Sequence, residues 1–245
     1  MASLDGEKVV ILGGTSGVGL HTAFLAAQAG AEVLALSRSE ENLSAAATKA
    51  RAKGLDAKVT FGRADAEDLA SLQAAFQAFG PFHHLVISVL DRHTSDLGPF
   101  RTVGAAGLKA GLNKFWSSCN AIEAAQGHLD PHGSITMVSG SDQRKAWPGV
   151  VAHAVVGGAM NALARTLAVE LAPARINVVC PGPTVDGEYD PTERPDRAAS
   201  LEEWGKRFPL QRVGDAREVA DGIMFLMSNR YVTGAILDVD GGASV

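Results

Sequence analysis

Lys8-Val9-Val10-Ile11-Leu12-Gly13-Gly14-Thr15-Ser16-Gly17-Val18-Gly19, continuing as a helical pattern to Gln28, is the stretch whose reading decides the fold. A short apolar run bounded by glycine reads as a buried strand. The glycine cluster then opens directly into a helix. Gly13 can take the positive φ of a tight turn, and Gly17 and Gly19 carry no Cβ to hold other groups away. The helix that starts here aims unpaired backbone N–H groups and the positive end of its dipole at whatever lies above the turn. That is a seat for an anion. The Gly-x-x-x-Gly-x-Gly spacing differs from the commonest dinucleotide fingerprint and is weak alone. It gains weight from the alternation of strands and helices in the rest of the chain.

Past this turn, apolar strand candidates recur at 32–36, 58–61, 83–88, 133–138, 174–179 and 235–239. Helix-period stretches alternate with them at 17–29, 40–53, 66–78, 101–127, 149–171 and 215–228. Such alternation predicts a parallel sheet with right-handed crossovers covering both faces. The strands are apolar throughout, as strands buried on both faces are. Ser39 before Glu40 and Glu41 reads as a helix N-cap, and Gly30 as a helix stop. The stretch 182–200, with Pro183, Pro191 and Pro195 among acidic residues, breaks the rhythm and reads as a lid or binding loop.

The chain of 245 residues shows no linker-like segment and suits one α/β domain over 1–245 with a lid-like loop around 182–208. A net charge of −5 disfavours nucleic acid as a partner. Cys119 and Cys180 lie in apolar surroundings and read as free thiols, which fits a reducing interior. No apolar run reaches the length of a membrane span and no signal-peptide pattern opens the chain, so a cytoplasmic protein is expected. The histidines and acids show no metal-ligand spacing, so no metal is expected.

These landmarks together resemble the short-chain dehydrogenase/reductase family over nearly the whole chain. Gly13-Gly14-Thr15-Ser16-Gly17-Val18-Gly19 is similar to its nucleotide turn, and Asp65, between Ala64 and Ala66, to its adenine-contacting Asp. Asn177-Val178-Val179-Cys180-Pro181-Gly182 is similar to its strand-to-loop signature. Pro209-Leu210-x-Arg212-x-Gly214, Tyr231-Val232-Thr233-Gly234 and Asp240-Gly241-Gly242 resemble its C-terminal third. The resemblance implies a doubly wound (Rossmann) sheet of about seven parallel strands with helices on both faces. It also implies a dinucleotide across the strand C-termini, with Ser88, Pro181 and Gly182 beside it, a small-molecule substrate, and a homo-oligomer, dimer or tetramer.

Cofactor choice follows from charge. A carboxylate ending the second strand would bind a ribose 2′-OH and repel a 2′-phosphate. Here Ser37 and Arg38 stand there instead, a hydroxyl and a guanidinium suited to phosphate. NADP(H) is therefore expected over NAD(H), with Arg38 as a plain surface charge the alternative.

The reaction centre departs from the family's. Anchoring on Leu167-Ala168-Val169-Glu170-Leu171-Ala172-Pro173 puts His153 at the Tyr position, Gly157 at the Lys position and Gly140 at the Ser position. The Asn position falls near Lys114, and the Thr after Pro-Gly becomes Asp186. His153 can exchange a proton near neutral pH without a lysine's help. Ser139 or Ser141 can supply a hydroxyl to a developing oxyanion, and Lys114 a positive charge. The plain alternative is a histidine that fills a tyrosine's volume and a solvated lysine. Asp91 and His93 could pair but read as a polar loop; Asp142, Arg144 and Lys145 read as a solvated charged run, and His83 and His84 as structural. Leu90, Trp116, Trp147, Val150, Tyr189 and Trp204 are candidate walls for an apolar or aromatic substrate, or else core and interface. Three functions stay open: an NADP(H)-dependent oxidoreductase, a non-redox dehydratase, isomerase or cyclase, and a catalytically silent nucleotide binder.

Overall fold

A computed structural model describes residues 3–89, 98–186 and 195–245, with backbone only at 195–198 and 200. Leu90, Asp91, His93, Tyr189 and Pro191 lie outside the described residues. In chain order the elements are β1 (Lys8–Leu12), α1 (Gly17–Gln28), β2 (Glu32–Ser37), α2 (Glu40–Ala52), β3 (Val59–Arg63), α3 (Leu69–Phe79) and β4 (Phe82–Ile87). Then come α4 (Phe100–Gly111), α5 (Asn113–Ala125), β5 (Leu129–Val138), α6 (Val151–Glu170), β6 (Arg175–Pro181) and β7 (Thr184–Val185). The chain closes with α7 (Pro195–Gly205), β8 (Gly214–Asp215), α8 (Ala216–Ser228) and β9 (Ile236–Val239).

Seven of the strands form one sheet in the order β3-β2-β1-β4-β5-β6-β9. Every pairing in it is parallel. The order reverses between β1 and β4, and at that switch point the strand C-termini leave a crevice. Alternate residues of β1 face opposite layers. Val9 and Ile11 join the core formed with α1, α2 and α8, while Val10 and Leu12 join the core formed with α3, α5 and α6. All four are at most 2% exposed, and burying each such side chain contributes about 1.5–3 kcal/mol. The expected doubly wound sheet with helices on both faces is the observed one.

Local signals place the helices as read. The Ser39 hydroxyl accepts from the Asn42 N–H at 3.3 Å, and Gly30 turns the chain after α1 with φ +105°. Asp68 caps α3, and Asp215 with Glu218 forms a capping box on α8. Two expectations need correction. The single helical stretch 101–127 is two helices meeting at Leu112, with Gly104 in α4 at φ +54°. A Cβ on Gly111 would lie 3.1 Å from that of Ala152, so its absence lets α4 pack closely on α6. The supposed loop 182–200 carries the start of α7, and β7 pairs with β8 in a small second sheet.

The opposite end of the sheet is held by buried polar groups. Arg175, 6% exposed, donates to the carbonyls of Leu226 and Met227 at 2.6 Å and of Asn229 at 3.0 Å, closing the end of α8. His84 bridges Glu7 at 2.6 Å and the Ser134 hydroxyl at 2.8 Å. The hydrogen bond from His84 holds the Glu7 carboxyl below its usual range against the opposing effect of burial. A carboxyl depressed in the folded state stabilises at neutral pH and loses that contribution as pH falls below its unfolded value. The thermal midpoint should therefore drop below about pH 4.5. Glu7→Gln should flatten that drop in a pH series of melting curves; an identical acid limb would sink this account.

Candidate active site at the carboxyl ends of the strands

The glycine turn is packed to the limit. Gly13 has φ +74°, and a Cβ there would stand 2.4 Å from the Ser88 carbonyl oxygen. One on Gly19 would stand 2.2 Å from the Gly13 carbonyl oxygen. Ser16 precedes α1 but its side chain caps nothing. Instead the Gly17 N–H donates to Asp186 Oδ2 at 3.1 Å, and His21 Nε2 lies 3.0 Å from Asp186 Oδ1. A carboxylate of the chain itself thus stands where the turn favours an anion.

Beside the turn runs a cavity of about 230 Å³. Of the residues expected around a nucleotide, Gly13, Thr15, Ser16, Ser37, Arg38, Ala64, Asp65, Ala66 and Ser88 line it, as does Lys114. Gly17, Val18, Gly19, Pro181 and Gly182 do not. Val18 packs against the core, and Gly182 lies against Asp240. Ser39, Asn42 and Glu67 also line it; their polar side chains, close in sequence to Arg38 or Asp65, were the available signal. Arg38 Nη1 is 3.5 Å from Glu67 Oε1, both about half exposed, an arrangement worth little in stability. The Asp65 carboxylate accepts from the Glu67 N–H at 3.0 Å. A glycine floor without room for a Cβ, a helix N-terminus at the turn, and Ser37, Arg38 and Ser39 as donors fit a dinucleotide.

His153 stands in the first turn of α6, with Nδ1 3.2 Å from Asp142 Oδ2 and each side chain 32% exposed. Asp142 belongs to a short turn, Ser141–Gln143, just after β5. Arg144 and Lys145 are exposed, as a solvated charged run would be, and each still makes contacts. Arg144 pairs with Asp238 at 3.1 Å, and Lys145 lies over the Trp147 ring and donates to the Val245 carbonyl. Ser139 is buried, and its hydroxyl lies against the Cys180 thiol without a well-aligned hydrogen bond. Its carbonyl accepts from Lys114 Nζ at 3.3 Å. Ser141 is also buried.

On the same face of α6, one turn past His153, a Cβ on Gly157 would meet Gln143 Cγ at 2.6 Å and Ser139 Oγ at 3.2 Å. The space above Gly157 is filled by Gln143, whose amide donates to Cys180 Sγ at 3.6 Å. Burial, with the Asp238 charge, pushes the Cys180 thiol up to about 11, so it stays protonated and is no nucleophile. Trp116, Trp147 and Trp204 are exposed, and none lines the cavity. Among the described residues no cluster of His, Cys, Asp or Glu could hold a metal ion. Among them, too, no helix is long and apolar enough to cross a membrane.

Comparison with known proteins agrees with this architecture. The family model described as Enoyl-(Acyl carrier protein) reductase matches residues 13–244. The short-chain dehydrogenase/reductase ATR9 of Stachybotrys chlorohalonatus is 31% identical, covering 99% of both chains. A short chain oxidoreductase from Pseudomonas aeruginosa PAO1, solved with NADPH and described as containing an atypical catalytic center, superposes with a TM-score of 0.87. It is 27% identical and covers 99% of this chain and 98% of its own. A small-chain dehydrogenase in complex with NADPH gives a TM-score of 0.76 at 27% identity over 98% and 99% of the two chains. With its parallel sheet, glycine turn and switch-point crevice, this chain belongs to the short-chain dehydrogenase/reductase family of oxidoreductases.

Proposed function

We propose that the protein is an NADP(H)-dependent oxidoreductase acting on a carbonyl or alcohol of an apolar or aromatic small molecule, with His153 in the place of the family's tyrosine. The pairing of His153 with Asp142 carries this reading. A carboxylate only accepts, so the pair puts a proton on Nδ1 and leaves Nε2 to face a substrate oxygen. When bound, the nicotinamide supplies or takes the hydride. His153 gives or takes the accompanying proton at Nε2, and Asp142 holds the ring in that tautomer. Lys114 adds positive charge near Ser139; the Ser139 hydroxyl is closed off beneath Gln143, which leaves Ser141 as the hydroxyl to donate to the substrate oxygen. Ser37, Arg38 and the glycine turn hold the nucleotide, and the NADPH-bound relatives support that assignment.

The same dyad can also move a proton with no hydride, which is the alternative of a non-redox enzyme on this scaffold. Titration with NADPH and NADH, followed by nicotinamide absorbance in the presence of a panel of ketones, separates the two. NADPH consumption supports the redox reading; binding without consumption, with a His153-dependent change in a substrate, favours the alternative. Arg38→Ala should cost about tenfold or more in the preference for NADPH over NADH, the loss of one charge-assisted phosphate contact. An unchanged preference would retire Arg38 as the 2′-phosphate ligand.

A further inference from the structure

The anion seat at the start of α1 is already taken by a side chain 169 residues away in sequence. Asp186 places one carboxylate oxygen on the Gly17 N–H at 3.1 Å and the other on His21 Nε2 at 3.0 Å. Both partners lie on one face of α1, four residues apart, so the carboxylate is gripped from the helix end and from its first turn. The Ser16 side chain makes no capping bond, and it is Asp186 that satisfies the Gly17 N–H. A second anion brought to the same N–H would have to share it with a carboxylate a few ångströms away. The dipole of one helix end and one N–H cannot satisfy both.

We propose that Asp186 is a resident anion that the diphosphate of the dinucleotide must displace, and that it thereby sets nucleotide affinity. This rests on the reading of the glycine turn as the diphosphate site. His21, released from the carboxylate, then turns its ring nitrogen to the incoming phosphate oxygens. Asp186 is thus an affinity-determining residue that weakens binding, in contrast to Ser37 and Arg38, which strengthen it.

The test is a pair of variants of the full chain, Asp186→Asn and Asp186→Ser, titrated with NADPH by fluorescence or calorimetry beside the wild type. Asparagine keeps a side-chain oxygen that can accept from the Gly17 N–H, serine removes the carboxylate altogether, and circular dichroism checks folding. Removing the charge should tighten NADPH binding about fivefold in either variant. Inorganic pyrophosphate should compete with NADPH at correspondingly lower concentration. Equal or weaker NADPH binding in the variants, with a binding wild type, overturns the proposal and leaves the nucleotide site standing. If neither wild type nor variants bind NADPH or NADH while folded, the nucleotide reading falls and the proposal falls with it.

Discussion

Replacing His153 with alanine should lower turnover by about 10²- to 10⁴-fold, the usual worth of a positioned acid–base group. Nucleotide affinity should change by less than about twofold, because a group acting on the substrate proton contributes little to binding elsewhere. The ring stands on α6, while the nucleotide-side cavity is lined from β1, β2, α2, α5 and the segments that follow β1, β3 and β4, and His153 does not line it. The loss should therefore appear in kcat. On the proposed reading Asp142 acts by positioning the His153 ring that it touches: Asp142→Asn should cost about tenfold in kcat with KM unchanged, and Asp142→Glu should recover part of it. A His153→Ala variant with undiminished NADPH consumption would remove the histidine from the chemistry.

The second large effect concerns the turn itself. Gly13→Ala forces a side chain into φ +74° and sets its Cβ 2.4 Å from the Ser88 carbonyl oxygen, between β1 and β4. The backbone penalty is about 1–2 kcal/mol and overpacking adds roughly 1–3 kcal/mol. Together they correspond to a fall of about 10 °C in thermal midpoint for a chain of this size. NADPH binding should be lost as well, since the turn cannot open without parting the two central strands. Gly54→Ala is the control: its φ is +67° but nothing lies within 4 Å of the added Cβ. That variant should show the backbone penalty alone, about 1–2 kcal/mol. Equal losses at both positions would show that crowding at the switch point is unimportant.

Much of the architecture was legible because each strand of the sheet carries its own signal. Val9 to Leu12 are apolar on both faces, which only a covered parallel strand allows, and Ser39 and Gly30 bound their helices by side-chain and backbone chemistry. The break at Leu112 was not legible. Helical periodicity continues through it, and only the packing of Gly111 on Ala152 shows how closely α4 lies on α6. At the site, the lining by Ser37 and Arg38 followed from their place at the end of β2, and that by Asp65 from the family resemblance. The partners of His153 and Gly17 did not. Asp142 is eleven residues before His153, a spacing that matches no helix or strand period, and β5 must end and α6 begin before the two meet. Asp186, just past β7, reaches Gly17 although β4 and β5 separate β6 from β1 in the sheet. Such pairs belong to topology, and no local pattern announces them.

The side chain of Gln143 over Gly157 bears on how this reaction centre could change again. A lysine at 157 would bring its first carbon to 2.6 Å from Gln143 Cγ, so the Gln143 side chain must move aside to admit it. Other chains that share this centre should therefore be recognised by the pair, and one carrying lysine at 157 should have a smaller residue at 143.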